Sequence, residues 1–176
     1  MKKILFIYLV VTCLFASCKK NSPASNSLTA SMNGTNKTFA TAALAVKVVR
    51  GGLTTIAIGG AVNVGTGEVL NIGIDNSLSG DSIVAGTYSD TSTAFSLSLA
   101  YNSPNSLGGY QGGTSVDGSE YFGSVPVSNH VKLVITSIDN SSIKGTFSGN
   151  IYLNRDLTNT PYPITNGNFS MKLALR

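Results

Sequence analysis

Apolar side chains recur at every second position along most of this chain, and that alternation restricts it to β-structure. Ile56 and Ile58 alternate with Thr55 and Ala57, and Leu70, Ile72 and Ile74 with Asn71 and Gly73. Phe95, Leu97, Leu99 and Tyr101 alternate with Ser96, Ser98 and Ala100. The clearest stretch runs from Val131 to Leu153. Val131, Leu133 and Ile135 share a face, Asp139-Asn140-Ser141-Ser142 supplies turn chemistry, and Ile143, Phe147, Ile151 and Leu153 return inward. Lys144, Thr146, Ser148 and Asn150 are then expected to point outward. A last strand carries Phe169, Met171, Leu173 and Leu175 on its inner face, after an Asn166-Gly167 pair that signals a tight turn.

Charged residues make up only 11% of the chain, too few for the Glu- and Lys-rich surface of a helical protein. Abundant Gly, Ser, Thr and Asn fit short strands joined by turns. About eight to ten strands at regular spacing predict an all-β domain, an antiparallel two-sheet β-sandwich. A closed up-and-down barrel is the alternative, because both bury one face of every strand.

One connection departs from the pattern. Residues 102–129 show no sustained alternation and are rich in glycine, and structureless loops of that length are uncommon unless functional. Tyr110, Asp117, Glu120, Tyr121 and Phe122 fall within it and form the candidate ligand-binding set. The competing reading makes Glu120–Val127 an edge strand whose aromatics simply pack.

The start of the chain is of a different kind. Met1-Lys2-Lys3 precedes an apolar run from Ile4 to Phe15, and Ala16-Ser17 precede Cys18. Twelve residues reach only about 18 Å as a helix, short of the ~30 Å core of a bilayer. The layout is that of an export signal, and the cysteine after small residues resembles a bacterial lipobox, in which the thiol is acylated. Residues 1–17 are thus expected to be a lipoprotein signal peptide, and 18–27 a lipidated Cys18 with a polar tether. Residues 28–176 are expected to form the β-domain. Removing 1–17 leaves 159 residues, enough for one core. Ten basic residues then oppose eight acidic ones, and without a basic cluster nucleic acid is excluded as a partner.

Five short motifs carry a resemblance. They are Asn33-Gly34, Gly86-Thr87-Tyr88, Ile135-Thr136-Ser137-Ile138-Asp139, Ile143-Lys144-Gly145-Thr146-Phe147 and Thr165-Asn166-Gly167-Asn168-Phe169. In these the chain resembles a family of uncharacterised Bacteroidota lipoproteins. The resemblance implies a β-fold and an envelope location, and no activity. Asp81-Ser82-Ile83 is similar to the O-glycosylation tripeptide of the same group.

Chemistry finds little purchase. His130 is the single histidine, and both cysteines lie at or before position 18, which argues against a zinc site and a Cys nucleophile. Asp75, Asp81, Asp90 and Asp117 could offer oxygens to calcium, yet no Asp-x-Asp-x-Asp-Gly loop is present. Asp117 and Glu120 are the nearest carboxylate pair for glycoside hydrolysis. The chain has no Trp, so a sugar platform would rest on Tyr110, Tyr121, Tyr152 or Tyr162. No metal, no cofactor and no catalytic residue is expected. The sequence points to a non-enzymatic binding or accessory module held at the outer membrane by acyl chains on Cys18, with an envelope protein or glycan as partner. A lipocalin-like carrier of a small apolar ligand is the second reading and a glycan-directed hydrolase the last.

Overall fold

The computed structural model describes residues 26–63, 65, 67–104, 108–114, 128–153 and 160–176. Every regular element among them is a strand. In chain order these are β1 (Ser27–Met32), β2 (Thr35–Thr38), β3 (Thr41–Arg50), β4 (Leu53–Ala61), β5 (Val69–Asp75) and β6 (Gly86–Ser89). There follow β7 (Ser96–Asn102), β8 (Tyr110–Gly113), β9 (Lys132–Ile138), β10 (Ser142–Leu153) and β11 (Pro161–Leu175). Cys18 and most of the expected tether lie outside the described residues. Asn26, just before β1, is tied down: its amide donates to the Ala43 carbonyl at 2.7 Å and accepts from the Lys172 N–H at 2.8 Å.

The all-β expectation holds, and the strands join into one sheet of order β2-β1-β11-β3-β4-β5-β7-β8-β10-β9-β6. A further pairing of β11 with β10 closes β11, β3, β4, β5, β7, β8 and β10 into a ring. Two long strands make this possible by changing partners along their length. β10 pairs with β9 through Ile143–Ser148 and with β8 through Tyr152 and Leu153. On the edge of β11 away from β10, β1 is the partner as far as Ser170, and β3 takes over from Leu173. The β11–β3 pairing is parallel, so the sheet is mixed rather than wholly antiparallel. Eleven strands among the described residues exceed the eight to ten expected.

Inside the ring, one core takes side chains from both halves. Leu28, Met32, Leu133, Ile143, Phe147, Phe169 and Met171 meet Ile56, Ile58, Leu70, Ile72, Leu97 and Leu99. These are the alternating positions of the sequence, buried because apolar area leaves water at about 25 cal/mol per Å².

The hairpin read over Val131–Leu153 is present as β9 and β10. Its turn is held by Asp139, whose carboxylate accepts from the Ser141 N–H at 2.7 Å, the Ser141 hydroxyl at 2.8 Å and the Ser142 N–H at 2.8 Å. These bonds favour the charged form and hold the carboxyl at about 2, below its ordinary 3.8. A lowered folded pKa contributes stability that is present above pH 3.8 and lost as pH falls through 2. Asp139→Ala should therefore lower the unfolding temperature at neutral pH, with the gap to wild type closing across that acid window. A gap that stays constant through the window removes this role from Asp139.

Four details differ from the sequence reading. The segment 102–129 contains β8, which bridges β7 and β10 and completes the ring. Asn166-Gly167 lies inside β11 and makes no chain-reversing turn. Asn166 is left-handed at φ 52°, and the β10–β11 register slips between Phe147 and Gly149. Such a bulge bends and twists a long strand. Leu175 is 55% exposed, beyond the core. Asn150 is buried rather than outward, because residues 128–130 cross over β10. The Asn150 amide donates to the Ser128 carbonyl at 2.9 Å, and its backbone N–H to the Asn129 carbonyl at 2.9 Å.

Candidate functional site

Five segments distant in sequence bring polar and aromatic side chains to one end of the ring. Tyr101 stands near the end of β7, with Tyr110 opposite it in the register at the start of β8. Tyr162 is the second residue of β11, Lys37 belongs to β2, and Glu68 precedes β5. The rings of Tyr101 and Tyr162 stack with centroids 5.8 Å apart, and those of Tyr110 and Tyr162 lie tilted at 4.6 Å. Phe39 meets Tyr101 edge-on at 6.4 Å. Offset and edge-on contacts of this kind suit the ring quadrupole.

Tyr101 is 1% exposed, so its hydroxyl needs partners. It donates to Glu68 Oε1 at 2.7 Å and accepts from Lys37 Nζ at 3.1 Å. Lys37 and Glu68 also pair directly, with side chains 24% and 13% exposed. Burial opposes charge on both, but the hydrogen bonds within the triad outweigh it. The Glu68 carboxyl is held below its ordinary value and the Lys37 ammonium above. Burial raises the Tyr101 phenol, and the Glu68 carboxylate adds to the rise; burial also raises Tyr162. At neutral pH the cluster thus offers a carboxylate, an ammonium and protonated phenols at Tyr101 and Tyr162. Such groups bind hydroxyls and amides well. Glu68 is poorly placed to take up a proton, because two donors already stabilise its charge.

Of the residues singled out in the sequence, Tyr110 is in this cluster and half-buried. Asp117, Glu120, Tyr121 and Phe122 lie outside the described residues. Tyr162 belongs to the cluster, whereas Tyr152 is buried at 4% exposure, its hydroxyl accepting from the Ser128 N–H at 3.0 Å. Lys37 and Glu68 were missed, each reading as a solitary polar residue beside a turn. In a chain with 11% charge, an isolated Lys and Glu next to strand-end tyrosines are the available signal.

His130 and Asp90 form a latch. His130 Nδ1 lies 3.0 Å from Asp90 Oδ1 without the alignment of a hydrogen bond. The other Asp90 oxygen accepts the Val131 N–H at 2.9 Å, and the Asp90 N–H donates to the Val131 carbonyl at 3.1 Å. Ser89 Oγ bonds Asp90 at 3.3 Å rather than the imidazole, so the order needed to activate a serine is missing here. Asp75 accepts from the Ser77 N–H at 3.0 Å and from its hydroxyl, and so closes a turn. Among the described residues no three His, Cys, Asp or Glu side chains gather to hold an ion. Ser82 of the Asp81-Ser82-Ile83 tripeptide is exposed. On the outer face, Lys132, Thr146, Ser148, Asn166 and Asn168 line a shallow polar groove of about 340 Å³ beside the β11 bulge.

Comparison with protein-family models, curated proteins and solved structures returns no match for this chain.

Proposed function

We propose that this chain is a lipid-anchored, non-catalytic binding module of the cell envelope whose recognition surface is the tyrosine-lined end of the ring. The observation that carries the reading is the convergence of Tyr110, Tyr162 and the Lys37–Glu68 pair at one end of an otherwise apolar interior. Aromatic rings beside an ammonium and a carboxylate suit a neutral saccharide. Its C–H face packs on a ring while its hydroxyls pair with the charges. The anchor rests on the order of charged start, apolar run and Ala16-Ser17 before Cys18. A carrier of apolar ligands has less support, since Ile56, Ile58, Leu70 and Leu99 occupy the place where a lumen would be.

With no Trp in the chain, near-ultraviolet emission comes from its seven tyrosines, of which Tyr101, Tyr110 and Tyr162 stand at this end. Titration of the full chain with malto-, cello- and manno-oligosaccharides should change that emission. Tyr110→Ala and Tyr162→Ala should each weaken binding about tenfold or more, a loss of ~1.4 kcal/mol. Unchanged emission with all three series, or binding indifferent to both substitutions, overturns the recognition surface. The anchor is tested apart from it: Cys18→Ser should move the chain out of the membrane fraction, and retention there overturns lipidation.

A further inference from the structure

Half-exposed large apolar side chains are not scattered over this protein. Six stand out among the described residues, between 41% and 55% exposed, and only Leu44 lies away from the end of the ring opposite the tyrosines. The others are Val49, Leu53, Leu78, Val84 and Leu175. Val49 and Leu53 flank the β3–β4 turn at Gly51-Gly52. The Val49 N–H donates to the Arg176 carbonyl at 3.4 Å, which brings Leu175 and the end of β11 alongside. Leu78 and Val84 belong to the loop from β5 to β6, and Asn76 ties that loop to the same turn. Its side chain accepts from the Thr54 N–H at 2.7 Å and donates to the Asp81 carbonyl at 3.0 Å. Ile83 of this loop is buried in the core, whereas Leu78 and Val84 stay outside. Single exposed apolar residues are ordinary, but a cluster of them marks a contact surface.

From this arrangement we infer that the end of the ring opposite the tyrosines docks on the bilayer surface, where Val49, Leu53, Leu78, Val84 and Leu175 enter the headgroup region. Two further observations select lipid as the occupant. The first is charge. Arg50, Lys144, Lys172 and Arg176 are exposed at this end, and Lys47 lies opposite Leu175. Of the acidic residues there, Asp75 and Asp139 are already engaged by Ser77 and by Ser141 and Ser142, which leaves Asp81. Aliphatic side chains among surplus cations suit an interface with anionic headgroups. The second is where the chain enters the domain. Asn26 is fastened to Lys172 and Ala43 at this same end. Eight residue steps join it to Cys18, a reach of at most about 28 Å. Tyr162 lies ten residues farther along β11 than Lys172, roughly 33 Å of strand. This part of the case rests on the acyl anchor proposed above: a chain held at Cys18 meets the bilayer with this end, and its tyrosines project away.

The acylated chain, isolated from membranes and reconstituted into phosphatidylethanolamine–phosphatidylglycerol vesicles, tests the inference. With Cys13 cut away and Cys18 acylated, Leu53→Cys, Leu78→Cys or Asn36→Cys each supplies one free thiol for a fluorescent label. All three positions are exposed, and Asn36 is on β2 beside Lys37 of the tyrosine cluster. Lipids spin-labelled near the headgroup should quench positions 53 and 78 several-fold and leave position 36 unchanged. Leu78→Glu should lower the quenching at position 53, with far-UV circular dichroism confirming the fold. A chain that carries acyl groups on Cys18 yet is unquenched at 53 and 78 overturns the docking and leaves the anchor standing. A chain that lacks acyl groups and stays off the vesicles overturns both. Quenching at position 36 equal to that at 53 also overturns the docking, since neither end is then preferred.

Discussion

Replacing Gly113 by alanine should destabilise the protein by about 3–5 kcal/mol, combining overpacking with backbone strain. Gly113 ends β8, the four-residue strand on which ring closure depends. Its φ of 124° is a backbone setting nearly reserved for glycine. A Cβ there would also collide with the Leu97 carbonyl and stand 2.9 Å from the Ser98 Cα, backbone that cannot swing aside. The two costs can be separated. Gly80 has φ 77° with open space around it, so Gly80→Ala carries backbone strain alone. It should cost about 1 kcal/mol. Urea unfolding followed by circular dichroism compares the pair, and a Gly113→Ala loss no greater than that of Gly80→Ala would show that β8 does not hold the ring.

The second large effect is at Tyr101. Tyr101→Ala removes a buried ring that touches Phe39, Tyr110 and Tyr162, a loss of about 3–5 kcal/mol. Tyr101→Phe keeps the stacking and removes the hydroxyl, which costs about 1 kcal/mol. The phenylalanine variant has a further signature in its pH profile. Glu68 has a lowered folded pKa, so its contribution is present above its ordinary 4.5 and fades as pH falls. Lys37 and Tyr101 are raised, so theirs is present below 10.5 and 10.0 respectively and is lost as pH rises. Without the hydroxyl both limbs should flatten, the alkaline one more, since the Tyr101 titration itself is gone. Unfolding temperatures from pH 3 to 11 read this out. Equal losses in the two variants would mean that the hydroxyl, and not the ring, carries the site.

Alternation in a strand records that strand's own burial, which is why β5, β7, β9 and β10 were legible from Leu70, Leu97, Leu133 and Ile143 and their neighbours. Ring closure depends instead on pairings between strands. Tyr110-Gln111-Gly112-Gly113 has no alternating pattern because β7 and β10 press close on both sides, and a Cβ at Gly112 would lie 2.7 Å from the Asn150 carbonyl oxygen. Asn166-Gly167 has the chemistry of a turn and serves a bulge, since both need a left-handed residue, and only the partner strand decides between them. At the candidate site, Tyr110 and Tyr162 could be singled out as aromatics. The Lys37–Glu68 pair could not, because no local pattern links residues 31 positions apart.

The parallel seam between β11 and β3 also sets a schedule. Ser27 pairs with Ser170, and Leu173 with Ala45, so both contacts span more than a hundred residues and wait on the last strand in chain order. Until β11 is made, β1 and β3 both keep an open edge. All-β chains with such remote pairings fold in milliseconds to seconds rather than microseconds. Whatever hairpins form earlier, both edges are therefore covered only once β11 has paired.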